Sequence, residues 1–502
     1  MAMIALSVDP RCSCERSQIG PMPSCSAKSW VLMPVMPVRG QMVLLRFENR
    51  PFSHIIARGK IGRSPEADLV LRYEKRIAWP LKLTELPESG GRIPEPQTPL
   101  RTVLLDEDNT VGAQGLSSRG ICYARRSLEI LDRHGVAERI RAKGVTWNEG
   151  EVYRGAERLY RFSLQSDPGQ KFPAFVNLQQ FYVEQYLVER LQKMPSVDLR
   201  WKNKVVAISN GNDFVTVKVE TPEGSYTANG EYLLACDGAH SVVRERVGAK
   251  DAASELLESV WCIADVRMAG ETDVVRKSYL DSPLNAGGAI WYHQMADGIW
   301  RTDWLITHYP EREAEATPER AAARLRKLLG PDRPFELVWV GAYRFRKRYL
   351  ERMRMGRAFF LGDAAAQHSP FGARGGNRAI QDAHNLAWKL AFVLQGRAHP
   401  DLLETYHDER HPAAIENVEH STRSAAFIGP EKPGQRLLRD LRPHEIGALQ
   451  RRVFSETTRC SNRPPLASTT RRVTAGPDPR GSAVCCPRRR ARCRARQPCR
   501  RR

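Results

Sequence analysis

The residues of this 502-residue chain best placed to do chemistry lie at positions 362–390, GDAAAQHSPFGARGGNRAIQDAHNLAWKL. An apolar run, Ala358-Phe359-Phe360-Leu361, ends at Gly362-Asp363. A loop with Gly372, Gly375 and Gly376 follows, and helical spacing opens near Asn377. A strand end, an acid, a glycine loop and a helix start, in that order, make a site for a polar, electron-rich ligand. The Asp363 carboxylate can accept hydrogen bonds from hydroxyls. Glycine lets backbone N–H groups come close, and a helix N-terminus favours negative charge.

A second corner of the same kind precedes it. The apolar stretch Tyr232-Leu233-Leu234-Ala235 runs into Cys236-Asp237-Gly238, and Ala239-His240-Ser241-Val242-Val243-Arg244 follows. Gly238 permits a tight turn, Ser241 can cap the next helix, and Arg244 adds a positive charge one helical turn on. An ordinary strand–turn–helix needs the glycine and the cap but neither the acid nor the arginine. A flavin nucleotide makes matching demands: a ribityl chain, a pyrophosphate, and a ring whose N1–O2 edge becomes anionic on reduction.

The elements that must hold these corners are legible in part. Val103-Leu104-Leu105 reads as a short strand ending at Asp106, and residues 124–134 as a helix stopped by Gly135. A second helix spans about 178–193. VVAIS, FVTVKVE and SYTAN, separated by turn residues, read as a meander. From about 255 to 350 the pattern is mainly β, with Trp291 and Tyr292 facing Trp300 and Trp304 across Ala296-Asp297-Gly298. One helix there has Thr317 as N-cap, Pro318 in its first position and Gly330 past its end. Helices follow from about Asn377 to Gly396 and from about Pro400 to His420. Residues 1–101 show scattered prolines and weak periodicity, and order fades again beyond Gly429.

Composition narrows the function classes. With 41% hydrophobic and 27% charged residues the chain is of the soluble globular kind. No run reaches the length of a membrane span, and the N-terminus lacks a signal-peptide pattern, so no membrane partner is expected and the expected location is cytoplasmic. The net charge of +21 is uneven: residues 451–502 hold 16 Arg, no Lys and only Glu456 and Asp478 as acids. That tail has no aromatic interleaving and no helical period, so nucleic-acid binding is not the expected role. Of 11 cysteines only Cys122, Cys236 and Cys262 lie in the body, without metal-ligand spacing; no metal site is expected.

Together the two corners resemble the class A flavoprotein monooxygenases, the aromatic hydroxylase family typified by p-hydroxybenzoate hydroxylase. The likeness is closer to its phenylpropionate and phenol hydroxylase branch and extends over about residues 103–423. In that family D-G-x-x-S-x-x-R contacts the phosphates of FAD and NAD(P)H, and G-D-A-A-H-x-x-P-x-G-x-G-x-N binds the ribityl chain and flavin. The resemblance therefore implies roles for Asp237, Gly238, Gly362 and Asp363, the last on a ribityl hydroxyl. It places Pro370, Gly375, Gly376 and Asn377 along the isoalloxazine. It implies Asp106 at the adenosine ribose, Arg119 near the FAD phosphates and Gln180 near the ribityl chain.

Three departures stand out. No G-x-G-x-x-G precedes Asp106, where the family's pyrophosphate loop belongs; Gly90-Gly91 is the only glycine pair there. The family's histidine in G-D-A-A-H is Ala366. Arg378 and Ala379 replace a small residue and a glycine, so Arg378 either crowds the flavin or offers it a charge. The loss of pattern before Val103 and the Lys-free tail suit translation of GC-rich DNA in a shifted frame.

The expected fold is α/β: a Rossmann-like FAD-binding domain of discontinuous segments (102–250 and 351–425) with a β-rich substrate domain (251–350). Residues 1–101 form an irregular region lacking the dinucleotide fingerprint, and 430–502 an Arg-rich irregular tail. The implied activity is FAD-dependent hydroxylation of a small aromatic substrate, phenolic or phenylpropanoid, with NAD(P)H as reductant and O2 as oxidant. This chemistry needs no protein nucleophile, so no catalytic residue is assigned. Tyr292, His293 and His368 are candidates for a base that ionises a phenol. The competing readings are a degenerate relative that binds FAD weakly or not at all, and a basic protein acting through its tail. Oligomeric state is left open.

Overall fold

The computed structural model describes residues 4–6, 41–46, 100–111, 120–164, 169–268, 275–310, 314–430 and 432–441. Arg119, most of the first hundred residues and the tail beyond 441 lie outside the described residues, and with them the expectations placed there.

Among the described residues, two large sheets and two three-stranded ones carry the fold. The first has seven strands in the order Arg354–Met355, Ala358–Phe360, Tyr232–Ala235, Gln41–Arg46, Ile4–Leu6, Arg101–Asp106 and Val197–Arg200. Tyr232–Ala235 and Ala358–Phe360 are parallel neighbours, as are Arg101–Asp106 and Val197–Arg200. Between the two pairs, Gln41–Arg46 runs antiparallel to both. Ile4–Leu6 also pairs antiparallel with Arg101–Asp106. The region before Val103 thus supplies two strands where none is expected, and they make the sheet mixed.

Leu104, Leu105, Leu233, Phe359 and Phe360 are almost wholly buried, which is why their strands read as continuous apolar runs rather than alternating ones. The helices Arg125–Asp132, Gly375–Leu394 and Glu404–Ile428 complete that core with Leu128, Leu131, Ile380, Leu386, Leu390, Tyr406 and Val418. The helix Gln180–Leu191 forms as expected and adds Val183 and Leu187.

The second sheet has eight strands: Ala366–Gln367, Glu336–Leu350, Asp251–Arg267, Ile299–Leu305, Gly288–Gln294, Arg276–Ser282, Glu149–Arg154 and Glu157–Ser163. It therefore recruits a hairpin from outside the segment 251–350. The hairpin of Gly288–Gln294 with Ile299–Leu305 pairs Ile290 with Trp304, Tyr292 with Thr302 and His293 with Arg301. Because strands alternate faces, Tyr292, Trp300 and Trp304 share one face and Trp291 points to the other. The expected group of four aromatics is divided: Tyr292 stacks on Trp300 at 4.5 Å, whereas Trp291 meets Phe371 at 4.7 Å. Asp297 and Gly298, both with positive φ, turn the hairpin.

The expected meander is a three-stranded sheet of Lys204–Asn210, Val215–Thr221 and Gly224–Gly230. The helix Pro318–Leu329 starts as its cap signals require, with Thr317 Oγ accepting the Arg320 amide. Two helices beyond those expected also form, Ala137–Lys143 and Pro433–Leu441, the latter inside the stretch expected to be irregular. Among the described residues no helix is long and apolar enough to cross a membrane.

Candidate active site

The site begins where two neighbouring strands end. Register places Ala235 beside Phe360, so Cys236-Asp237 and Leu361-Gly362 leave the sheet side by side. The turns need glycine: Gly238 has φ 75° and Gly362 φ 55°, where a side chain would be strained. Arg244 then donates to the carbonyls of Ala364 at 3.2 Å and Ala239 at 2.8 Å, and Gln367 Nε2 donates to Ala239 at 2.7 Å. The two corners, more than a hundred residues apart in the chain, are bonded to each other.

Asp237 acts within its own corner. Its Oδ2 accepts the amide hydrogen of Val243 at 2.9 Å, while Ser241 Oγ accepts that of Arg244 at 3.0 Å. Burial pushes the Asp237 carboxyl up to about 6, against the pull of its hydrogen bonds. Asp237 thus aims the short helix Val242–Arg246, and it is Gly238, Ala239 and Ser241 that reach the cavity beyond.

That cavity has a volume of about 1020 Å³. One wall is the start of the helix Gly375–Leu394, with Gly375, Gly376 and Asn377 lining it beside Asp363 and Pro370. Asn377 spends its side chain on scaffolding. Its Oδ1 accepts the Ala124 amide at 2.9 Å, and its Nδ2 donates to the carbonyls of Cys122 at 2.9 Å and Ala373 at 2.6 Å. This bolts the strand Cys122–Ala124 to the helix start and brings residues 120–123 to the cavity. Gln180 does similar work, accepting the Gly120 amide at 2.8 Å and donating to Glu184 at 2.8 Å.

Arg378 does not crowd the cavity. It is buried behind the wall, donating to the carbonyls of Gly362 at 2.9 Å and Ala366 at 2.7 Å and pairing with Asp382 at 2.5 Å. Asp382 also holds Arg410 at 2.8 Å. The substitution that looks most disruptive in sequence is a staple for the turn carrying Asp363.

The opposite wall is the inner face of the eight-stranded sheet. Trp261 and Trp291 line it and meet Phe371 edge-on at 4.9 and 4.7 Å. Arg276, His293, Arg301 and Asp303 stand among them. Burial, with Arg276 and Arg301 nearby, holds His293 well below the usual imidazole range. Burial pushes Asp303 up to about 6 although Arg301 pulls it down. His368 also lines the cavity; burial and the Arg378 charge bring it down to about 3, so it is neutral. Arg344, Arg346 and Arg348 alternate along one strand at the same cavity and give it a positive field for anionic ligands.

The structure therefore gathers Gln180, Gly238, Asp363, Pro370, Gly375, Gly376 and Asn377 around one space, with Asp237 and Gly362 directly behind it. Asp106 ends its strand as expected but stands away from this space. Its Oδ1 accepts the Asp108 amide at 2.9 Å, and burial pushes its carboxyl up to about 9. Of the candidate bases, His293 and His368 face the cavity, whereas Tyr292 is on the other side of its sheet. The sequence reading missed Trp261, Arg276, Arg301, Asp303 and Phe371. Alternation along the hairpin offered the one available signal, since it ties Arg301 and Asp303 to the face of Trp291.

For FAD, these residues fit the isoalloxazine and ribityl half. The cavity is large enough, a helix N-terminus opens into it, and the Asp363 carboxylate stands beside that opening. For the pyrophosphate, the G-x-G-x-x-G loop is absent from the sequence ahead of Asp106.

Comparison with known proteins agrees with this geometry. Residues 100–421 match a family described as FAD binding domain. The 6-methylpretetramide 4-monooxygenase of Streptomyces rimosus is 32% identical over 316 residues, 62% of this chain and 55% of that protein. The 3-(3-hydroxy-phenyl)propionate/3-hydroxycinnamic acid hydroxylase 2 of Burkholderia vietnamiensis is 29% identical over 262 residues, 52% of this chain and 47% of its own. The chain spans about half the length of these two relatives. Among solved structures, the p-nitrophenol 4-monooxygenase PnpA of Pseudomonas putida DLL-E4 superposes with a TM-score of 0.62 at 24% identity, over 72% of this chain and 92% of its own, a likeness of fold. The OxyS anhydrotetracycline hydroxylase of Streptomyces rimosus gives 0.53 at 26% identity, over 70% of each chain. With 322 of its residues inside the family match and the strand ends, glycine turns and helix start of that family assembled around one cavity, this chain belongs to the FAD binding domain family of class A flavin monooxygenases.

Proposed function

We propose that this chain is an FAD-dependent monooxygenase of the cytoplasm that hydroxylates a phenolic aromatic substrate, with NAD(P)H as reductant and O2 as oxidant. The observation that carries the reading is the single cavity with two unlike walls. One wall has a helix N-terminus, glycine backbone and Asp363; the other has Trp261, Trp291 and Phe371.

Bound FAD would supply the redox and O2 chemistry. The protein's share is placement and electrostatics. The amides at the start of the helix Gly375–Leu394 favour negative charge at that wall, which suits a flavin edge that becomes anionic on reduction. Asp363 would hold a ribityl hydroxyl. The bonded corners keep Gly238 and Gly362 in place, and the buried Arg378–Asp382–Arg410 cluster makes that frame stiff. The aromatic wall takes the substrate ring and keeps water from it.

Titrating the full-length protein with FAD, while following flavin fluorescence, tests the reading. Saturable quenching, then NAD(P)H oxidation stimulated by a phenol, is the expected result. Colourless protein that leaves FAD fluorescence unchanged overturns it.

A further inference from the structure

We propose that Asn177, Gln179, Tyr182 and Lys143 are positioning residues, which clamp the turn of the hairpin Gly288–Gln294 with Ile299–Leu305 and so set the gap between the two walls of the cavity. The clamp stands on its own contacts; its effect on turnover rests on the monooxygenase reading.

The hairpin folds without outside help. Its turn closes on itself, the Met295 amide donating to the Ile299 carbonyl at 2.8 Å, and both strands have sheet neighbours on their outer sides. Yet side chains from two other segments converge on this one turn. Asn177 Nδ2 donates to the Gln294 carbonyl at 2.9 Å and Gln179 Nε2 to the Ala296 carbonyl at 2.9 Å, both amides being buried. Tyr182 donates its hydroxyl to Asp297 Oδ2 at 2.5 Å, and Lys143, last residue of the helix Ala137–Lys143, pairs with Oδ1 of the same carboxylate. Burial raises the Asp297 carboxyl, but the bonds from Lys143 and Tyr182 outweigh it and hold it below its ordinary range. The carboxylate therefore stays charged and the clamp closed at neutral pH.

The clamp connects one wall to the other. Asn377, at the helix start on the flavin wall, bonds the Cys122 carbonyl, and Cys122 pairs in register with Asn177. Asn177 then accepts from Trp147 Nε1 at 2.9 Å, which fixes its amide plane, and passes the connection to Gln294. The helix Gln180–Leu191 faces both ways at its start: Gln179 and Tyr182 hold the hairpin, while Gln180 holds Gly120 at the cavity. A strand rises about 3.3 Å per residue, so Trp291 stands about 10 Å from the clamped Gln294 carbonyl and His293 adjoins it. A turn set free would tilt both against the helix start.

Hydrogen exchange of the full-length protein without added flavin, followed by mass spectrometry of peptides spanning 288–305, tests the clamp. Asp297→Gly removes the carboxylate at a position whose φ of 63° glycine adopts freely. It should speed exchange of that hairpin by about fivefold or more, while the hairpin Glu149–Ser163 at the far edge of the same sheet exchanges as before. Asp297→Asn keeps an acceptor for Tyr182 and should restore most of the protection. Tyr182→Phe should speed exchange in the native background and add little to Asp297→Gly, since both remove one bond. Exchange equal in native protein and Asp297→Gly, or faster by the same factor in both hairpins, overturns the proposal. Should Asp297→Gly fail to fold, Tyr182→Phe and Lys143→Met decide by the same comparison of hairpins.

With FAD and phenol added, each NAD(P)H, with a proton and O2, ends either as hydroxylated ring and water or as hydrogen peroxide. Asp297→Gly should raise the peroxide share by about threefold, because a displaced wall admits water beside the flavin, and Asp297→Asn should bring it back. A share unchanged while the hairpin exchanges faster overturns the link from clamp to gap. Native protein that neither takes up FAD nor oxidises NAD(P)H counts against the monooxygenase reading, and the exchange rates then decide the clamp alone.

Discussion

Gln367 donates from Nε2 to the carbonyl oxygen of Ala239 at 2.7 Å and so closes one strand-end corner over the other. Arg244 reaches from the first corner to the Ala364 carbonyl of the second, and the two bonds run in opposite directions across the same junction. Gln367→Leu keeps the volume and removes one of them. The expected outcome is a loss of about 1 kcal/mol in urea unfolding and a several-fold weaker FAD titration, because the junction loosens while the sheet beneath it stays intact.

Asn377 ties the helix start to the strand Cys122–Ala124 through bonds in both directions. Asn377→Leu leaves the Ala124 amide and the Cys122 carbonyl buried without this partner. A loss of about 2–4 kcal/mol is expected from the denaturant midpoint, larger than for Gln367→Leu, since two backbone groups lose this partner whereas the Ala239 carbonyl keeps its bond from Arg244.

Arg378 and Arg410 share the buried carboxylate of Asp382. Arg378→Ala strips one cation from a carboxylate with no exposure and frees the Gly362 and Ala366 carbonyls. Destabilisation of about 3–5 kcal/mol is expected. If Arg378 instead acted on the flavin, the variant would keep its stability and alter only the flavin spectrum.

Asp303 makes stability depend on pH. Burial raises its folded pKa to about 6 from an ordinary 3.8, so between about pH 4 and 6 the folded chain holds a proton that the unfolded chain has released. Its contribution to stability is therefore lost as pH rises through that window. Asp303→Asn should stabilise the protein at pH 7.5 by something on the order of 2 kcal/mol and have little effect near pH 4. Urea midpoints of native and variant protein at the two pH values measure it.

Asp363 is partly exposed and lines the cavity together with Gly375 and Gly376 of the helix start. Asp363→Ala should weaken FAD binding by roughly tenfold while changing the urea midpoint by under about 1 kcal/mol. Flavin fluorescence and urea unfolding on the same preparation separate the two effects.

The sequence by itself settled what is local. Gly238 and Gly362 had to be turns because an apolar run ends at each and an acid stands beside each. The helix Pro318–Leu329 had to start at Thr317 because cap, proline and terminal glycine agree. The family, too, lay in the spacing of those two corners, since close backbone approach to a flavin demands glycine at fixed offsets. What only the tertiary structure decided are contacts between distant segments. Nothing near Asn377 in the chain says that its amide serves Ala124, and nothing near Arg378 says that its charge is buried behind the cavity rather than inside it. The antiparallel strands Ile4–Leu6 and Gln41–Arg46 are held by pairing with strands far along the chain, so local periodicity did not announce them. Arg276, His293 and Phe371 belong to three different segments. Strand register and the packing of the Phe371 loop on Trp261 and Trp291 bring them together, and a one-residue slip would have turned Arg276 and His293 away from the cavity.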